Sequence, residues 1–214
     1  MNFIELCAGA GGTRAGLEAS GWKCIYAADF DPDVVEVHSR VFDEIEMRDV
    51  TRLTASEIPR CDAWVVGFPC QPFSSSGTRS GFLHRSGNVF ETLMHLVSEL
   101  HPPVLIFENV VGLLSNKSGH TFASILMMLT SLNYEVDWLV VDASWLGIPQ
   151  SRPRVFIVAS KELALEKPKI EYMQKQLFET DEIRSVFATL IKNLGLKISF
   201  NQVGNIASTQ QLLN

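Results

Sequence analysis

Residues Asn2 to Cys7 read as a first strand that stops at Ala8-Gly9-Ala10-Gly11-Gly12, and Thr13 to Ser20 then reads as the opening of a helix. Strand, glycine turn and helix in that order leave few folds open. Glycines in such a turn let a ligand come close to the backbone at the positive end of the helix. A second strand, about Lys23 to Ala28, ends at Asp29, close to the spacing at which an acidic residue binds ribose hydroxyls. Counted from Gly9 and Gly11, the third glycine of a Gly-x-Gly-x-x-Gly pattern falls on Arg14, with Gly12 and Gly16 on either side. This much also fits a nicotinamide or flavin site.

The remaining apolar runs continue the alternation. Ala63 to Val66 leads into Gly67-Phe68-Pro69-Cys70-Gln71-Pro72-Phe73, and Val104 to Phe107 leads into Glu108-Asn109-Val110. Trp138 to Val141 precedes Gly147-Ile148-Pro149-Gln150-Ser151-Arg152-Pro153-Arg154, which enters Val155 to Ala159. Strands alternating with helix-like segments predict one doubly wound α/β domain with a mostly parallel sheet. In such sheets ligands bind outside the carboxyl ends of the strands, so thiol, carboxylate and guanidinium residues far apart in sequence can share a pocket. Pro69 and Pro72 fix φ and lack an amide donor, so they hold Cys70 in a stiff turn. A lone cysteine is ordinarily a packing thiol. Its place at a strand end between two prolines points instead to a presented nucleophile.

Taken in order, Glu5-Leu6-Cys7-Ala8-Gly9-Ala10-Gly11-Gly12, Asp29, Asp49-Val50, Pro69-Cys70-Gln71, Gly87-Asn88-Val89-Phe90, Glu108-Asn109-Val110 and Gln150 through Arg154 resemble the catalytic part of the DNA cytosine-5 methyltransferases. The resemblance covers roughly the first three quarters of the chain. It implies a Rossmann-like methyltransferase fold and S-adenosylmethionine as cofactor, which lacks a pyrophosphate and needs less of the glycine pattern. It places Asp29 on the ribose, Asp49 and the Val50 backbone on the adenine, and the Glu5 to Gly12 turn around the methionine part. The cofactor set it implies is Glu5, Leu6, Cys7, Ala8, Gly9, Gly11, Gly12, Asp29, Phe30, Asp49, Val50, Pro69 and Val89. One departure is Cys7, which stands where the family usually has an aromatic residue.

The chemistry implied is covalent. Cytosine C5 is a poor nucleophile until a thiolate adds at C6, after which C5 takes a methyl group from a sulfonium donor. Cys70 is the expected nucleophile. Charge that builds toward N3 and O2 calls for a protonated carboxyl and an arginine, roles that fit Glu108 and Arg154. Arg152 is expected to brace the catalytic loop and nearby carboxylates. Burial after an apolar strand is expected to favour the protonated form of Glu108. The polar segment 74–86, with Arg79 and Arg85, reads as a mobile lid that closes on a flipped nucleotide.

At 214 residues and 46% hydrophobic content the chain can bury a sizeable core, with no apolar run long enough to span a bilayer. Cys7, Cys24, Cys61 and Cys70 show neither metal-ligand spacing nor a disulfide framework, which suits a reducing cytoplasm and predicts no metal. The formal charge of −6 is unexpected for a chain that grips DNA, since phosphate contacts supply most non-specific affinity. Residues 1–160 are therefore read as the catalytic, donor-binding domain and 161–214 as a short carboxyl-terminal segment. In it Thr180 caps a helix with Ile183, Val186, Phe187, Leu190, Ile191 and Leu194 on one face and Gly195 as its stop. Gln202-Val203-Gly204-Asn205 faintly resembles the start of the family's last block.

A full target-recognition region is expected to be missing, with DNA specificity and the last cofactor-pocket helix supplied by a second subunit or another segment. The leading expectation is methyl transfer to cytosine C5 in DNA, in a restriction-modification setting. A catalytically silent donor-binding subunit and an RNA cytosine-5 methyltransferase are the alternatives.

Overall fold

The computed structural model describes residues 1–42, 44–69 and 89–161. In chain order these form β1 (Asn2–Leu6), α1 (Gly12–Ala19), β2 (Lys23–Asp29), α2 (Pro32–Ser39), β3 (Glu46–Met47), β4 (Ala63–Val66), α3 (Val89–Leu100), β5 (Val104–Val110), α4 (Gly112–Ser115), α5 (His120–Ser131), β6 (Glu135–Asp142) and β7 (Pro153–Ser160). The strands make one sheet in the order β3-β2-β1-β4-β5-β7-β6. Pairing is parallel from β3 through β5, whereas β7 runs antiparallel to both β5 and β6. The expected mostly parallel, doubly wound α/β sheet is present, and the strand order reverses between β1 and β4.

The central strands are buried on both faces because they are mostly apolar. Ala63, Trp64, Val65 and Val66 of β4 and Phe3, Ile4 and Leu6 of β1 are all buried, as parallel strands between helical layers must be. On one face, Ile4, Trp64, Leu105, Phe107, Val155 and Ile157 pack against Phe90, Leu93 and Val97 of α3 and Phe122, Ile125 and Leu129 of α5. A thinner cluster of Phe3, Ala63, Val65 and Val104 covers the other face, with Leu17 of α1 and Trp22 against it. Each large apolar side chain buried this way contributes about 1.5–3 kcal/mol.

Among the expected boundaries that move, three do so for a clear reason of pairing. β2 takes in Asp29, because that residue still pairs with Met47 of β3. β5 runs through Glu108 to Val110, because β7 offers Phe156, Val155 and Arg154 as partners there. Glu108 is therefore a strand residue and not one beyond a strand end. β6 likewise lengthens to Glu135–Asp142 by pairing along the whole of β7. Asp31 caps α2, its carboxylate accepting from the Asp33 and Val34 amides at 3.0 and 3.4 Å, and Pro32 fills the first helical turn. Cys70, the 74–86 segment with Arg79 and Arg85, the 180–194 helix and the 202–205 block lie outside the described residues. No helix among those described is long and apolar enough to cross a membrane.

Candidate active site

Parallel pairing sets the carboxyl ends of β1 to β5 along one edge of the sheet, and antiparallel β7 brings its first residues to that same edge. Two groups of expected residues gather there. The first surrounds the turn after β1. Cys7, Gly9 and Gly11 have φ of 52°, 58° and 79°, so the backbone turns sharply in the left-handed region. The Gly9 amide donates to Asp29 Oδ2 at 2.9 Å, and the Asp31 amide donates to Asp29 Oδ1 at 3.1 Å. Asp29 is buried and ties the ends of β1 and β2 together, while its carboxylate keeps spare acceptor capacity. Around the site where a side chain on Gly9 or Gly12 would sit there is open space, as a closely approaching ligand requires.

Glu5 is the least expected member of this group in its surroundings. It lies inside β1 at 2% exposure, accepts from the Arg14 amide at 3.2 Å through Oε1, and leaves Oε2 without a hydrogen-bond partner among the described residues. Burial pushes its carboxyl up to about 7. Leu6 and Ala8 are buried beside it. Cys7 is half-buried against the main core, and burial with the charges of Asp29 and Asp49 pushes its thiol up to about 12. In place of an aromatic ring it is thus a neutral packing group. Phe30, next to Asp29, is 68% exposed.

Asp49 caps a short 3₁₀ turn at Val50–Arg52. Its Oδ1 accepts from the Thr51 amide and hydroxyl at 2.9 and 2.7 Å, and those bonds hold its carboxyl below the usual range. Val50 is buried, and Met47, Arg48, Asp49, Arg52 and Leu53 line an open recess.

The second group lies where β4, β5 and β7 meet. Arg154 Nε donates to Glu108 Oε1 at 2.7 Å, with 20% and 26% of the two side chains exposed. The expected burial of Glu108 is not met: the carboxylate is half-buried and engaged by Arg154, since both stand at the open edge of the sheet. A side-chain carbon on Gly67 would lie 3.0 Å from the Cys7 carbonyl and 4.0 Å from Glu108 Oε2. The two groups therefore adjoin at Gly67. Pro69 is exposed and Val89 half-buried, and Cys70 between them is outside the described residues.

Arg152 is exposed, and its own turn is held through the backbone: the Arg152 amide and the Ser151 hydroxyl donate to Asp142 at 3.0 Å each, and the Ser144 amide donates at 2.9 Å. These bonds hold the Asp142 carboxyl below its ordinary range, the Ser144 amide foremost, while the catalytic loop that the Arg152 side chain is expected to brace lies outside the described residues. Two further residues escaped the sequence reading as site members. Asn109 Nδ2 donates to the Phe68 carbonyl at 2.8 Å, pinning the strand end that leads to Cys70. His38 contacts the Gly9 carbonyl. Asn109 was visible as part of a matching block, but nothing local marked His38.

These geometries agree with the comparisons. The C-5 cytosine-specific DNA methylase family matches residues 1–211. The chain belongs to that family. It is 39% identical over 158 residues to the type II methyltransferase M.BsuFI of Bacillus subtilis, covering 74% of this chain and 39% of that protein. To M.MspI of Moraxella sp it is 37% identical over 185 residues, covering 85% and 44%. The chain thus spans less than half the length of these curated relatives. The S. pombe Dnmt2 methyltransferase has the same fold, with a TM-score of 0.66 at 21% identity, covering 84% of this chain and 56% of that one.

A family cofactor of the sulfonium type fits the residues present. Glu5, Asp29 and Asp49 set three acidic side chains around the turn, and the unpartnered Glu5 Oε2 invites a cationic donor.

Proposed function

We propose that this chain is the catalytic subunit or catalytic fragment of an enzyme that transfers a methyl group from S-adenosylmethionine to C5 of cytosine in DNA. Glu5, Asp29, Asp49 and the Cys7 to Gly12 turn hold the donor, with Leu6, Ala8, Phe30, Val50, Pro69 and Val89 completing its pocket. S-adenosylmethionine, when bound, supplies an electrophilic methyl group. Cys70 adds to C6 of an extruded cytosine and makes C5 nucleophilic; loss of the C5 proton after transfer then expels the thiol. Glu108 engages the N3 side of the ring, and Arg154 stabilises the charge that develops at O2.

The observation that carries this reading is the 2.7 Å Glu108–Arg154 pair, set across Gly67 from the donor turn. Burial raises the thiols of Cys7, Cys24 and Cys61, Cys7 to about 12 and Cys61 to about 11, so all three are poor thiolates and Cys70 is left as the fitting nucleophile. Target choice belongs, in this reading, to sequence beyond residue 161 or to another polypeptide.

The test is methyl transfer from labelled S-adenosylmethionine to mixed-sequence DNA, by this chain alone and with the proteins encoded beside it. Matched RNA serves as competitor. Transfer to DNA in either arrangement supports the reading, and preference for RNA moves the substrate. Cys70→Ala is expected to abolish the covalent adduct with 5-fluorocytosine DNA; an adduct that persists removes Cys70 from the mechanism. Donor binding without transfer in any arrangement makes the chain a regulatory subunit.

A further inference from the structure

Gly9 is held at both of its polar backbone groups. Its amide donates to Asp29 at 2.9 Å, and its carbonyl lies 3.0 Å from His38 Nδ1. A carbonyl only accepts, so the contact is a hydrogen bond with the proton on Nδ1. His38 belongs to α2 and is wholly buried, and its Nε2 has no partner among the described residues. Burying an unpaired ring nitrogen carries a desolvation cost. A leucine or phenylalanine would fill that space without it, so the ring is explained by the bond to Gly9 and not by packing.

The same ring supports the rest of the turn. His38 and Phe42 have ring centroids 5.0 Å apart, and a side-chain carbon on Gly11 would meet Phe42 Cε2 at 2.4 Å and His38 Cε1 at 3.0 Å. Gly9 and Gly11 therefore rest on one pair of rings. In a trans peptide the amide points opposite to its carbonyl. Anchoring the Gly9 carbonyl inward on His38 thus turns the Ala10 amide outward, and Ala10 is exposed.

We propose that His38 is a positioning residue for the methyl donor, acting through the Gly9 carbonyl to fix the left-handed turn and present the Ala10 amide to the ligand. This rests on the donor-binding reading above.

Asparagine and glutamine substitutions separate a positioning role from a space-filling one, because an Asn amide nitrogen falls near Nδ1 and a Gln amide nitrogen near Nε2. Calorimetry of the full chain with S-adenosylmethionine and with S-adenosylhomocysteine is expected to show His38→Asn within about three-fold of the unsubstituted chain and His38→Gln weaker by about ten-fold. In turnover, His38→Gln is expected to raise the KM for the donor, leaving kcat at saturating donor and the KM for DNA unchanged. Equal affinities in folded Asn and Gln variants overturn the proposal. So does loss of folding in both, which makes His38 a core residue only. An unsubstituted chain that binds neither ligand removes the donor-binding reading itself, and this inference with it.

Discussion

Arg154 Nε meets Glu108 Oε1 at 2.7 Å along a diagonal of the antiparallel β5–β7 ladder, where Glu108 is opposite Phe156 and Arg154 is opposite Val110. Two residues apart on one strand share a face, so the two side chains stand together at the open edge of the sheet. A half-exposed ion pair contributes little to stability, about 0–1 kcal/mol. Its worth is placement. Arg154→Ala is expected to lower kcat by about 100- to 1,000-fold while moving the urea midpoint little. Steady-state kinetics beside denaturation check this; a variant that loses stability but keeps kcat contradicts it.

Asn109 ties β5 to the residue two before the nucleophile's position, through the 2.8 Å bond to the Phe68 carbonyl. Asn109→Leu leaves that buried carbonyl unpaired, with an expected loss of about 1–3 kcal/mol. The kcat is expected to fall with it, and donor affinity to hold, because the donor turn lies on the other side of Gly67. Urea denaturation and calorimetry measure the two separately.

Gly11 has φ of 79° and no room for a side chain against Phe42. Gly11→Ala is expected to destabilise the fold by about 2–3 kcal/mol through strain and overpacking together. Adding Phe42→Ala is expected to return part of that loss and not all, since the backbone strain and the His38 contact persist. A double-mutant cycle reads the coupling; strict additivity would show that Phe42 does not press on the turn.

Glu5 gives a pH dependence with a definite sign. Its carboxyl is raised from an ordinary value near 4.5 to about 7 by burial, so between those values the folded chain holds a proton that the unfolded chain has lost. Stability contributed at this site falls as pH rises through that window and levels above it. Glu5→Gln removes the dependence. The variant's stability relative to the unsubstituted chain is expected to grow by up to about 3 kcal/mol between pH 4.5 and 8, since each pKa unit is about 1.4 kcal/mol. A pH-independent difference in urea denaturation contradicts the raised carboxyl.

Local pattern was enough for every strand but the two-residue β3, for the glycine turn and for the order of blocks that marks the family, because burial on both faces demands continuous apolar runs such as Ala63 to Val66. The family resemblance grouped Glu5, Asp29 and Asp49 as cofactor residues. It did not tell how each is used. Glu5 holds its proton toward neutral pH because burial in the core outweighs the lowering effect of Arg14, and Asp29 accepts a backbone amide at each of its oxygens. Asp142 braces the turn before β7 through the Arg152 amide, a role that no local pattern marked.

His38 carries no local signature, and Asn109 was marked only as part of a block and not by its role, since each acts on a carbonyl of another strand end. The composition of the runs Val104 to Phe107 and Val155 to Ala159 told that they are buried strands. That they lie antiparallel side by side, so that Arg154 at the start of one reaches Glu108 near the end of the other, is a matter of pairing direction. Hydrophobic periodicity reports which residues are inside a sheet and is blind to which strand lies next to which, and in what sense.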